Sequence, residues 1–133
     1  MLNYTFTLPS GEELNKKIEP IINEISSSLN ITADSMLRYS LYLTVWEILI
    51  NIMNHTDQTC GRTVHIRACW TDKEIQLQID HENGCFDWRN AMSPTLPPHG
   101  ETRGRGLYLI GQVSKHFSYD ASGRTATITF DRV

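Results

Sequence analysis

Long apolar runs are missing from this sequence. None reaches the roughly 18 uninterrupted residues that a membrane span needs, so no helical membrane segment is expected. Paired cysteines are missing too. Cys60, Cys69 and Cys85 are odd in number and none stands in a C-x-x-C pair, which argues against a disulfide framework and fits a reduced compartment. A zinc site assembled from His55, Cys60, His65, Cys69, His81 and Cys85 is the minor expectation, because these residues lack paired ligand spacing. Strong charge of either sign is also absent. The formal net charge is -3, and Arg103 with Arg105 makes a basic pair and not a patch, so neither nucleic acid nor an anionic membrane is an expected partner. Met1 to Tyr4 lacks a basic segment followed by an apolar core; no secretory leader is expected, and the cytoplasm is the expected compartment.

What is present suits one globular domain spanning residues 1–133, with enough chain to bury a core. Asn3 to Leu8 alternates Tyr4, Phe6 and Leu8 against Asn3, Thr5 and Thr7, as a half-buried strand does. Ser10 and Glu13 have capping-box spacing, and Leu14, Ile18, Ile21, Ile25 and Leu29 recur at helical intervals. Pro20 inside that stripe predicts a kink or a split. A second helix, capped by Thr32 or Asp34, should run to about Asn54. Leu37, Leu41, Val45, Ile48 and Ile52 share one of its faces, while Leu43, Trp46, Leu49 and Met53 make most of the remainder apolar. Such a helix is packed against on more than one side.

Two alternating runs follow, Val64-Ile66-Ala68-Trp70 and Ile75-Leu77-Ile79, with Thr71-Asp72-Lys73 as a hairpin turn. From His81 to Arg105 the pattern gives way to Gly, Pro and polar residues, an extended loop long enough to act as a lid. Helical spacing returns from Gly106 to Phe117, and Ser118–Asp120 with Thr125–Asp131 reads as a closing hairpin. Strands in antiparallel neighbours with grouped helices predict an α+β two-layer sandwich of a mixed, mostly antiparallel sheet.

Three constellations carry chemistry. Glu47, Asn51 and His55 stand four residues apart and form a polar line on an otherwise oily helix. On the helix alone, a solvent-facing polar edge and a ligand-binding line explain them equally well. Arg103-Gly104-Arg105-Gly106 opens onto the third helix, where free backbone N–H groups and close backbone approach suit a phosphate. Alone this is weak, since Gly-x-Gly before a helix is a common connection, and neither a Walker loop nor a third Rossmann glycine follows. Asp80-His81-Glu82-Asn83-Gly84 ends a strand with acidic residues and a Gly turn, which more often is an ordinary polar turn than a binding site.

Together, in this order, the three resemble the GHKL ATPases, and most closely their anti-sigma-factor serine kinases. LTVWEILINIMNHT is similar to the N box, RGRGLYLIGQVSKHFSYD to the G2 box and its helix, and GRTATITF to the closing Gly-x-Thr hairpin. The resemblance covers nearly the whole chain and implies a Bergerat ATP site. It assigns Asn51 to Mg²⁺ and Glu47 to the general base that deprotonates an attacking serine. Gly104 and Gly106 would let backbone amides hold the phosphates, with Leu107 beside them and Thr125 in the closing hairpin. At the strand end the family places an adenine-binding aspartate two residues before a glycine. An ungapped match sets His81 and Asn83 there, whereas a bulge would bring in Asp80 and Gly84.

The resemblance further implies ATP and Mg as cofactors, a STAS-domain antagonist as serine substrate, a sigma factor or related regulator as sequestered partner, and a homodimer. The alternative is a degenerate GHKL domain that binds protein without nucleotide; His81 and Asn83 favour it, and Glu47 and Asn51 favour the kinase.

Overall fold

In a computed structural model of the chain, residues 1–8, 13–55, 63–81, 105–120 and 124–132 are described, the side chains of 54, 55 and 105–107 excepted. The elements in chain order are β1 (Leu2–Thr7), α1 (Leu14–Leu29), α2 (Met36–His55), β2 (Thr63–Trp70), β3 (Glu74–His81), α3 (Arg105–Val113), β4 (His116–Tyr119) and β5 (Thr125–Asp131). The five strands form one sheet in the order β1-β2-β3-β5-β4. Every pair is antiparallel, so among the described residues the sheet is not mixed. The α+β architecture expected from the sequence is the one observed.

Strand alternation separates two faces of the sheet. Val64, Ile66 and Ala68 on β2, Ile75, Leu77 and Ile79 on β3, and Ala126, Ile128 and Phe130 on β5 are buried in one core with the helices. Their neighbours, among them Arg67, Gln78 and Thr127, point to the other side. The helices therefore form one layer and leave one sheet face without a covering element among the described residues.

α1 buries Leu14, Ile18, Ile22 and Ile25 on one stripe. It runs unbroken through Pro20, so of the kink or split that the sequence suggested, the split does not occur. Pro20 lies on the exposed side, where water can satisfy the carbonyl that a proline ring leaves unpaired. Ser10 of the expected capping box lies outside the described residues, and Glu13 at the helix start makes no side-chain cap. Asn30 closes α1 in the left-handed conformation, φ 56°, and Ile31 N–H donates to Ser26 O at 2.9 Å, as in a Schellman turn.

α2 is capped neither by Thr32 nor by Asp34. Ser35 Oγ accepts the Arg38 N–H at 3.1 Å and fills that role. α2 packs against both α1 and α3, which explains why it is apolar around most of its circumference. Leu41, Val45, Ile48, Leu49 and Ile52 are buried in the core.

α3 ends at Val113, short of the Phe117 that helical spacing allowed. Ser114 Oγ donates to Ile110 O at 2.7 Å and closes the helix. Lys115 N–H then donates to Thr129 O at 2.7 Å, which commits the chain to the sheet. Phe117 consequently sits on β4 opposite Ile128. The β2–β3 turn follows the expected Thr71-Asp72-Lys73, with Thr71 Oγ1 accepting the N–H groups of Lys73 and Glu74 at 3.2 Å each.

Candidate functional site

The site is built on α2. Glu47 and Asn51 are both half-buried and stand one turn apart, a spacing that brings Cβ atoms within about 6 Å. Burial raises the Glu47 carboxyl above the ordinary carboxylate range, because a poorly hydrated site disfavours the anion. That makes it a stronger proton acceptor than a surface glutamate. Asn51 Nδ2 is buried and has no hydrogen-bond partner among the described residues. An amide donor left in that state costs about 1–3 kcal/mol, so the sequence keeps an unsatisfied group on a helix that had apolar residues to spare. His55 closes α2, with its side chain outside the described residues.

α3 packs against α2 and carries Gly106 in its first turn. The first-turn N–H groups of a helix have no intrahelical acceptors and sit at the positive dipole end, which suits an anion. Gly104 and Gly84 lie outside the described residues, as do the Leu107 side chain and the Pro-rich loop expected to form a lid.

Strand β3 decides the remaining candidates. His81 is 2 % exposed and shares the helix-facing side with Leu77 and Ile79. Arg124 fixes its backbone twice: His81 N–H donates to Arg124 O at 3.1 Å, and Arg124 Nε donates to His81 O at 3.3 Å.

Asp80 points the other way, and its Oδ1 accepts the Thr125 Oγ1 proton at 3.2 Å. Register runs without a break through His65↔Asp80, Val64↔His81 and Asp80↔Thr125, so no bulge brings Asp80 inward before His81. The structure thus separates residues that the sequence grouped. Glu47, Asn51 and His81 lie on the helix side of the sheet, and Asp80 and Thr125 lie on the open side, because alternate strand residues cannot share a face.

Two residues went unnoticed in the sequence. Thr44 is fully buried with Oγ1 unpartnered among the described residues. It precedes Asn51 by two helical turns, and that spacing was the available signal. Arg124 had none, since it reaches His81 from 43 residues away in the sequence.

A polar pair on a helix flanked by a glycine-opened helix, over an antiparallel sheet, is the arrangement to which the family comparison answers. The family model described as the histidine kinase-like ATPase domain matches residues 13–131. The chain belongs to that family. Comparison with curated proteins returned no match. A histidine kinase-like ATPase domain implies a nucleotide site, and the orphaned Asn51 donor beside a half-buried acid fits a bound phosphate group with its cation. Mg²⁺ in such sites takes one or two protein oxygens and completes its shell with phosphate and water. No cluster of three or more His, Cys, Asp or Glu is needed, and none occurs among the described residues.

The same observation disposes of the zinc ligands that can be placed. His65 and Cys69 lie on the open face and His81 on the buried one, while Cys60 and Cys85 lie outside the described residues. No described helix is long and apolar enough to cross a membrane.

Proposed function

We propose that this histidine kinase-like ATPase domain is a regulatory serine kinase of the anti-sigma-factor type. It binds Mg-ATP, phosphorylates a serine of a STAS-domain antagonist and sequesters a sigma factor or a related regulator. The observation that carries the proposal is the pair on α2, an acid whose proton affinity is raised by burial and, one turn on, a buried amide with no described partner. A domain that only captured protein would have no use for either.

Glu47 takes the proton from the attacking serine hydroxyl. The Asn51 amide oxygen is the protein ligand for Mg²⁺, and its Nδ2 gains an acceptor when the site fills. By the family resemblance, the amides around Gly104 and Gly106 would bind phosphate oxygens, with Leu107 beside the nucleotide. His81 faces the base end as an imidazole acceptor. Bound Mg-ATP would supply the transferable phosphoryl group and neutralise its charge, and the protein's part would be positioning.

A second proposal rests on β3. Asp80 turns away with Thr125 while His81 takes the inward position, and a histidine accepts fewer hydrogen bonds than a carboxylate. That favours a degenerate domain whose binding of protein is independent of nucleotide.

Calorimetric titration of Mg-ATP and Mg-ADP into the protein, with Asn51→Ala as control, separates the two. Saturable binding that Asn51→Ala abolishes supports the kinase. Absence of binding at millimolar nucleotide eliminates it and leaves the partner-binding scaffold.

A further inference from the structure

Two buried polar atoms on α2, Thr44 Oγ1 and Asn51 Nδ2, lack a partner among the described residues. The nucleotide site proposed above accounts for the amide of Asn51. It leaves the hydroxyl of Thr44, a residue that is fully buried.

A helical threonine ordinarily donates to the carbonyl four residues back. Thr44 does not do so to Ser40 O, and its proton is left for another acceptor. Its buried neighbours along the helix are Leu41, Val45, Ile48 and Leu49. Valine would fill the same space among them without burying a hydroxyl, and a purely structural position favours that exchange.

The spacing supplies an acceptor. Glu47 lies three positions further along α2, so the two side chains share a face with Cβ atoms about 5–6 Å apart. A helical side chain leans toward the helix N-terminus, over the turn that precedes it, which carries the Glu47 carboxyl over Thr44. Burial alone sets the proton affinity of Glu47; among the described residues no hydrogen bond or neighbouring charge contributes. The elements packed with α2 present Glu19 of α1, tied to Arg38, Tyr108 of α3 and His81 of β3. None of these groups bears on Glu47.

We propose that Thr44 is a positioning residue for Glu47, its hydroxyl donating a hydrogen bond to the ionised carboxylate. One carboxylate oxygen accepts that bond, and the other is left to take the serine proton. The bond strengthens as the carboxylate ionises, because a donor binds an anion more tightly than a neutral acid. The catalytic meaning of the contact rests on the kinase reading, whereas the contact itself needs no nucleotide.

Carboxyl-carbon NMR on the nucleotide-free chain follows the titration of Glu47 directly. Loss of a donor to the anion raises the midpoint of a carboxyl. Thr44→Val moves the Glu47 midpoint up by about one pH unit, and Thr44→Ser, which keeps the hydroxyl, holds it at the parent value. In phosphoryl transfer, Thr44→Val lowers kcat about tenfold, the equivalent of one such bond, with KM for ATP unchanged, and Thr44→Ser retains the parent rate. Circular dichroism verifies that both variants fold. A Glu47 midpoint unmoved in Thr44→Val overturns the inference, as does one that moves equally far in Thr44→Ser. A parent that transfers no phosphoryl group refutes the kinase reading instead, and the NMR titration still decides the contact.

Discussion

Replacing Asn51 by leucine should make the protein more stable and useless as a nucleotide binder. Asn51 Nδ2 is buried without a described partner, and such a donor costs about 1–3 kcal/mol relative to an apolar group of the same shape. Leucine removes the cost, keeps the approximate volume and suits a helix interior. For a domain of this length each kcal/mol shifts the melting temperature by about 3–5 °C, so Asn51→Leu should melt about 3–15 °C above the parent in the absence of ligand. With Mg-ATP only the parent responds, and the gap closes. Ligand at a hundred times its Kd stabilises the parent by about 2.7 kcal/mol, a rise of about 10 °C, and leaves the variant unmoved. Scanning calorimetry of both proteins, with and without Mg-ATP, reads all four values. An unliganded Asn51→Leu that melts below the parent would mean the amide already has a partner. A full ligand-induced rise in the variant would mean Asn51 is not in the site. Either result refutes the reasoning.

Glu47→Gln should lower phosphoryl transfer to a serine substrate by about 10²–10⁴-fold, the usual contribution of a general base, measured with labelled ATP and a STAS-domain protein. The same substitution has a pH signature. Burial raises the Glu47 pKa in the folded state, so the folded protein holds its proton more tightly than the unfolded chain. Stability then falls as pH rises from the ordinary carboxylate range through the raised value. Glu47→Gln should therefore stabilise at pH 7 and confer nothing below about pH 4, as thermal melts at the two pH values will show. Ser35→Ala removes the α2 cap at Arg38 N–H and should cost about 1 kcal/mol in urea unfolding. Phe130→Ala empties a position that is 1 % exposed and should cost about 3–5 kcal/mol in the same assay.

Much of the molecule is legible in the chain because its periods are clean. The stripe Leu14-Ile18-Ile21-Ile25-Leu29 is the buried face of α1 as spaced. The alternation in β2 and β3 gives their inner residues and the turn between them. Glu47 and Asn51 stand out because polar residues at intervals of four on an oily helix need a reason. Boundaries were less legible where a side chain competes with the backbone. Ser35, not Thr32 or Asp34, caps α2, and Ser114 ends α3 before Phe117, since the nearest hydroxyl in reach of a free backbone group takes the role.

The sequence by itself determined the order of elements and the polar line on α2, because both are local periodicities written in neighbouring residues. The tertiary structure alone decided which face each strand residue takes beyond its period and what meets it there. Register across β2, β3 and β5 turned His81 to the helices and Asp80 to the open face. Strand pairing brought Arg124 onto His81 across 43 residues of sequence. Hydrogen bonding between strands is indifferent to distance along the chain, so no local pattern in the sequence records it.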